Sequence, residues 1–267
     1  MKAKRYITGL IGFPIVALVL ILGNKYVIDV AFSIVAAISI YEYYHALKLQ
    51  AKPIVWLGYV ACALIALIHV LPVDYLITII GVSLPVSILI LFLHTIISNN
   101  KINIVDISLT LFGICYIVLF LLFMPILMAG EDGKFLVWYI IFAAWGTDTF
   151  AYIIGSKIGK HKFTEISPKK SIEGCIAGTL GSVIMNIIYT VYLNVGRGMN
   201  INYFAIAGIA LVLSLLGQIG DLSASAIKRH VGTKDFGNLF PGHGGMLDRI
   251  DSVLFIAPFA YFLLLLI

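Results

Sequence analysis

Charge is scarce in this chain. Asp, Glu, Lys and Arg make up 12% of its 267 residues, against roughly 25% in an ordinary soluble domain. Cysteine is scarcer still: Cys62, Cys115 and Cys175 stand singly in apolar stretches, with no CxxC among them. An odd, scattered set indicates neither a disulfide framework nor a zinc site, and all three read as small apolar packing residues. There is no HExxH and no GxSxG, so the zinc-peptidase and serine-hydrolase arrangements are excluded. The run from Gly155 to His161 resembles a phosphate loop but is one residue short and lacks Ser or Thr after its Lys. Gly196-Arg197-Gly198 has no strand before it, so it is no dinucleotide turn. No repeat at a fixed period and no low-complexity tract occurs.

What the chain has instead is apolar length. Hydrophobic residues make up 61% and the mean hydropathy is +1.05, enough for eight or nine segments of about 20 residues, the length that crosses a bilayer. A soluble globular enzyme and a disordered chain are both ruled out. Apolar runs fall near 6–23, 27–46, 54–71, 76–97, 107–128, 135–155, 175–195, 201–222 and 250–267, which predicts about nine transmembrane helices and an all-α, polytopic membrane protein. The start, Met1-Lys2-Ala3-Lys4-Arg5, mimics a signal peptide but lacks a small-x-small cleavage site, so a retained first helix is expected. Of the 18 Lys and Arg, fifteen fall on the side of the N-terminus and the even-numbered loops and three on the other. By the positive-inside rule the N-terminus and those loops are expected in the cytoplasm. The net charge of +5 suits anionic lipid on that face and needs no nucleic acid.

The long polar stretches are Ser156–Gly174 and Lys228–Arg249, both on the predicted cytoplasmic side, with nine of the 18 cations between them. The first five spans hold only Asp29 and Glu42 as acids. Residues 1–140 therefore read as transmembrane scaffold, and 141–267 as the catalytic region with cytoplasmic loops 156–174 and 228–249. Asp148 and Tyr152 are four apart and share a helix face with Gly155; an acid in an apolar span faces a polar interior or a partner. Lys169, Lys170 and Ser171 stand just before a helix, with Glu173 following, an arrangement that suits a phosphate or, equally, a positive-inside loop. Asp221, Ser225 and Lys228 line one helix face at i, i+4 and i+7, with Arg229 one position round. Lys234, Asp235, His243, Gly244, Gly245, Asp248, Arg249 and Asp251 follow. Asp248 and Asp251 share a face at the start of the last helix, where capping and dipole stabilisation is the bland alternative. Carboxylates without Cys or clustered His favour Mg²⁺ over Zn²⁺, and lysines and arginines beside such ions neutralise phosphate. The combination points to phosphoryl or nucleotidyl transfer at a membrane face.

The run Ser225-Ala-Ile227-Lys228-Arg229 through Lys234-Asp235-Phe-Gly237, Phe240-Pro241-Gly-His243-Gly244-Gly245 and Asp248-Arg249-Ile250-Asp251 resembles the signature of the CDP-diacylglycerol synthase, or phosphatidate cytidylyltransferase, family at all 27 positions. Asp148 through Ala151-Tyr152, Gly155 and Gly159 to Ser167-Pro-Lys-Lys-Ser171-Ile-Glu173-Gly174 is similar to it as well, as is Gln218-Ile-Gly-Asp221. The resemblance implies a metal-dependent transfer of CMP from CTP to phosphatidate, giving CDP-diacylglycerol and pyrophosphate. It implies a generally dimeric protein of the cell (inner) membrane whose site opens to the cytoplasm and the membrane lipids. Asp221 and Asp248 then look like the ligands of Mg²⁺, with room for a second cation. Lys228, Arg229 and Lys234 look like phosphate ligands, supported by His243 and Ser225, with Lys169, Lys170 and Ser171 facing the same cavity. Two rivals stand beside this reading. One is CTP transfer to a different lipid phosphate; the other is an ion transporter using Asp29, Asp148 and Asp221 as a relay. A CDP-alcohol phosphotransferase would show DGxxAR, which is absent.

Overall fold

A computed structural model describes residues 14–70, 73–99, 101–240, 242 and 244–267. The expectations attached to Met1–Arg5, Pro241 and His243 lie outside these residues. Helix dominates, and among the described residues the only bridges are two isolated ones, Lys162 with Ser171 and Phe240 with Gly244. Among the described residues, five helical segments are long and apolar enough to cross a membrane: Lys25–Ala46, Ile104–Ala129, Gly133–Ile158, Ile172–Arg197 and Tyr203–His230. This is a multi-pass membrane architecture. Two compact units divide the chain, Met1–Pro125 with Val231–Arg249, and Ile126–His230 with Ile250–Ile267. Their boundaries differ from a division near residue 140, because the 231–249 loop belongs with the N-terminal helices.

In the first unit, residues 14–22 are helical and are followed by α1 (Lys25–Ala46), α2 (Val55–Ala66), α3 (Val73–Ile97) and α4 (Ile104–Gly113). A π-helical stretch, Ile114–Leu119, then leads into α5 (Phe120–Ala129). The expected span over 54–71 is shorter than its apolar run. α2 has 12 residues, about 18 Å at the helical rise and well short of a ~30 Å hydrocarbon core. The chain turns out of the helix at Leu67–Val70, where His69 Nδ1 meets both carboxylate oxygens of buried Asp29 at 2.7 and 2.8 Å. Asp29 is thereby tied within this unit.

The link between α1 and α2 is held by side-chain acceptors from α4. Lys52 N–H donates to Asp106 Oδ1 at 2.6 Å and Ile54 N–H to Thr110 Oγ1 at 2.9 Å. The Thr110 carbonyl accepts from Tyr44 Oη at 3.0 Å. Asn103 and Asp106 form a capping box that starts α4. The Tyr44 ring wedges between Gly58 and Gly113, where an added Cβ would lie 2.8 Å from it on either side. Cys62 is buried, and its carbonyl accepts from Ser33.

The second unit consists of α6 (Gly133–Ile158), α7 (Ile172–Arg197), α8 (Tyr203–His230) and the larger part of α9 (Leu247–Leu264). Small residues set the approach of α6 and α7. A Cβ on Gly155 would lie 3.1 Å from Gly174 Cα, and one on Gly178 2.7 Å from the Thr147 carbonyl. The spacings Gly174-xxx-Gly178 and Ala151-xxx-Gly155 form the small-xxx-small seam that lets membrane helices touch backbone to backbone. The glycines of the failed phosphate loop therefore serve helix packing. A polar ladder runs across the same unit: Thr147 Oγ1 to Ser214 Oγ at 2.6 Å, Ser214 to Thr179 at 3.3 Å, and Gln218 Nε2 to Thr179 at 2.9 Å. Gly198, with φ +69°, closes α7 in the left-handed conformation, which accounts for the other rejected glycine motif.

Candidate active site

Each unit holds one cluster of the residues singled out by sequence, and each is built by its own helices. In the second unit the 159–171 loop folds back on itself before α7. Phe163 N–H donates to the Lys170 carbonyl and Ile172 N–H to the His161 carbonyl, both at 2.9 Å. Glu173 on α7 accepts from the His161 ring at 2.6 Å. Ser171 is the N-cap of α7 and accepts from Gly174 N–H at 3.1 Å. Ser171 and Glu173 thus shape the loop, and what the loop delivers is Lys170. Its ammonium meets Asp221 Oδ2 on α8 at 2.5 Å, with side-chain exposures of 21% and 27%. Lys169, one residue earlier, is exposed.

Gly220, next to Asp221, lets α9 approach α8: a Cβ there would stand 2.6 Å from the Asp251 carbonyl oxygen. Buried Asp251 lies within electrostatic reach of Asp221, Lys228 and Asp148. Its Oδ1 accepts from Ser252 N–H. Lys228 is buried, Ser225 half-buried and Arg229 exposed. Asp148 is exposed on α6, as is Tyr152. Three carboxylates therefore share a neighbourhood with Lys170 and Lys228. An all-oxygen donor set fits a hard divalent ion, which takes one or two protein carboxylates and keeps water and phosphate for the rest. Among the described residues no three His, Cys, Asp or Glu side chains form a ready metal cage, and Mg²⁺ does not require one.

In the first unit the 231–249 loop is organised by carboxylates bonding to backbone. Asp248 Oδ2 accepts from Phe236 N–H at 2.8 Å and from Gly245 N–H at 2.9 Å. Phe240 N–H donates to the Gly244 carbonyl, closing a turn in which Gly244 takes φ +82°. The Asp235 carboxylate flanks the same glycine, since a Cβ on Gly244 would lie 3.2 Å from its Oδ1. Lys234, Asp235 and Arg249 are exposed. The helix-capping alternative for Asp248 finds this support: its carboxylate accepts from the backbone of Gly245, just ahead of α9, and of Phe236. Sequence reasoning missed the other organiser, Glu42 on α1, whose oxygens accept from Met246 N–H at 3.0 Å and Leu247 N–H at 2.8 Å. The signal was available. A lone acid in an apolar span requires a partner, the argument that singled out Asp148.

The unequal placement of the two lysines gives a direct test. Lys170→Ala is expected to cut turnover about ten- to a hundred-fold, the loss of one charge-assisted contact of roughly 1.5–3 kcal/mol, whereas Lys169→Ala should cost much less. Initial rates of the purified variants check this; equal effects would return the pair to a topology signal.

Comparison with known proteins places the chain. The model of the cytidylyltransferase family matches residues 3–267. A phosphatidate cytidylyltransferase of Staphylococcus haemolyticus is 38% identical over 177 residues, covering 66% of each chain. The Staphylococcus aureus protein of that name is 38% identical over 173 residues, 64% of each. That of Bacillus subtilis is 40% identical over 182 residues, 67% of this chain and 66% of the relative. The chain spans about two thirds of the length of these curated relatives. With the family model matched across nearly its whole length, this chain belongs to the cytidylyltransferase family.

Proposed function

We propose that the protein is a CTP:phosphatidate cytidylyltransferase of the cell membrane. A phosphate oxygen of phosphatidate attacks the α-phosphorus of CTP, the bond to the β-phosphate bridging oxygen breaks, and CDP-diacylglycerol and pyrophosphate are released. The observation that carries the reading is the Lys170–Asp221 pair, which the 159–171 loop brings to α8 beside Lys228, Asp251 and Asp148. Cations at such a site bind two anionic substrates, and a lipid phosphate needs no strong base because it is already an oxygen nucleophile. The name shared by the relatives supports the substrate assignment.

Asp221 in the second unit and Asp248 in the signature loop are the acids we assign to the divalent ion or ions, with Mg²⁺ first. Such an ion supplies neutralisation of charge on the leaving pyrophosphate. Lys170 and Lys228 hold phosphate oxygens, and Lys234 and Arg229 contribute exposed positive charge for attracting CTP. Asp248, fixed by Phe236 and Gly245, keeps one carboxylate orientation. We place the site on the cytoplasmic face of a protein of about nine spans, acting as a homodimer. The decisive assay incubates detergent-purified protein with labelled CTP and phosphatidate. Labelled CDP-diacylglycerol together with pyrophosphate is expected; ion uptake by reconstituted vesicles without conversion would overturn the reading.

Orientation is testable on exposed positions. In a cysteine-less background, Lys101→Cys should react with an impermeant maleimide only from the cytoplasmic side and Asn200→Cys only from outside. Both residues are exposed. Labelling from the opposite sides would reverse the assigned topology.

A further inference from the structure

The geometry points to Glu42 as a positioning residue for the signature loop: its carboxylate, carried on α1, holds the backbone at which α9 begins and so sets where Asp248 stands. The inference rests on the cytidylyltransferase reading for its effect on turnover, but not for its structural part.

A helix leaves its first N–H groups without intrahelical partners, and a side chain at the N-cap normally supplies an acceptor. α9 begins at Leu247, so the N-cap position falls to Met246, whose side chain has no strong acceptor. Glu42 supplies what Met246 lacks, from 204 positions earlier in the chain, by accepting the N–H groups of Met246 and Leu247. Gly245 N–H goes to Asp248. Three consecutive backbone donors, from Gly245 through Leu247, are thus all bound by carboxylates. Glu42 is 5% exposed, so in an apolar setting each contact is worth more than at a wet surface.

Two glycines of the signature are shaped to this carboxylate. A Cβ on Gly237 or on Gly245 would collide with Glu42, and its side-chain atoms are the three nearest in both cases. Gly245 does not have the positive φ of Gly244, so its lack of a side chain answers to Glu42 rather than to backbone conformation. One carboxylate therefore accounts for two glycines and two backbone donors. A second consequence concerns substrate. The N-terminus of a helix readily binds phosphate, but that of α9 already holds an internal anion. Phosphate groups must be held by side-chain cations, and the first turn of α9 is left to present Asp248.

The experiment compares Glu42→Gln, Glu42→Ala, Gly245→Ala and the Glu42→Ala/Gly245→Ala double variant with the full-length parent in detergent. Two readouts are taken, hydrogen exchange of peptides covering 235–249 and steady-state kinetics with CTP and phosphatidate. Glu42→Ala should speed exchange at 246–247 by about tenfold or more while peptides of α7 keep their protection. kcat should fall by about tenfold or more, with KM for either substrate within about threefold, as for a residue that orients the reacting groups rather than binding substrate. Glu42→Gln, matched in shape but with one acceptor replaced by a donor, should fall between the two. Gly245→Ala should damage the parent by about tenfold yet add less than about twofold to Glu42→Ala, because the group it collides with is gone. Full additivity of the two substitutions, or normal kcat in Glu42→Gln, would overturn the inference. So would exchange that rises in all peptides alike, which marks general destabilisation. A parent protein without cytidylyl transfer would sink the proposed function and leave the exchange result readable.

Discussion

Asp221→Asn is expected to lower turnover by about a thousandfold, the scale on which removing a charge-stabilising group from a polar active site acts. Asn keeps the volume and one oxygen, so the packing of α8 against α9 at Gly220 is undisturbed. What disappears is the negative charge facing Lys170 at 2.5 Å. An anionic oxygen donor for a divalent ion vanishes with it, and the attraction that would draw the ion in weakens. Stability should change little, by about 1 kcal/mol, because both partners retain some solvent access and an ion pair of that kind is worth little net. Thermal unfolding in detergent and single-turnover formation of CDP-diacylglycerol at rising Mg²⁺ separate the two effects. An Asp221→Asn protein that turns over normally at ordinary Mg²⁺ would reduce the Lys170 contact to a structural clasp.

The second large effect is at Asp248, where the choice of substitution separates two roles. Asp248→Asn can still accept the N–H groups of Phe236 and Gly245 through its amide oxygen, so the loop should persist while turnover falls by about a hundred- to a thousandfold. Asp248→Ala removes the acceptor and strands both donors in a buried place, at about 1–3 kcal/mol each. The loop should then loosen as well, read as faster proteolytic nicking between 231 and 249 with α7 intact. If Asp248→Asn were fully active and Asp248→Ala dead, the residue would be a backbone acceptor alone, and the metal role would leave it.

The helical class and the positions of most spans were legible because apolar length is a strong signal. The ends were less so. The 54–71 run reads as one span, yet the helix stops at Ala66, since His69 must reach Asp29 and hydropathy does not register a pairing across 40 positions. The i, i+4, i+7 row puts Asp221 and Lys228 on one face of α8, and both act electrostatically on Asp251. That Lys170, rather than Lys169, would reach Asp221 depends on how the 159–171 loop pairs His161 with Ile172 and Phe163 with Lys170. No local spacing encodes that register. Ser171 and Glu173 read as substrate-binding candidates, while in the structure Ser171 caps α7 and Glu173 holds the His161 ring, because both tasks require a polar side chain ahead of an apolar run. Glu42 could be singled out as a lone acid in an apolar span, but its partners could not be named, because they are backbone N–H groups, which every residue but proline carries.

The contact between Glu42 and the start of α9 also bears on the order in which the protein is made. Synthesis runs from the N-terminus, so α1 enters the membrane with Glu42 while its partners, 204 and 205 positions away, have not yet been translated. At about 5–20 residues per second this interval lasts roughly 10–40 s. Throughout it an acid sits near the end of an apolar helix without the groups that will receive it. A nascent chain that stops short of α9 leaves Glu42 without those N–H groups, so this contact forms only once the start of α9 has been made.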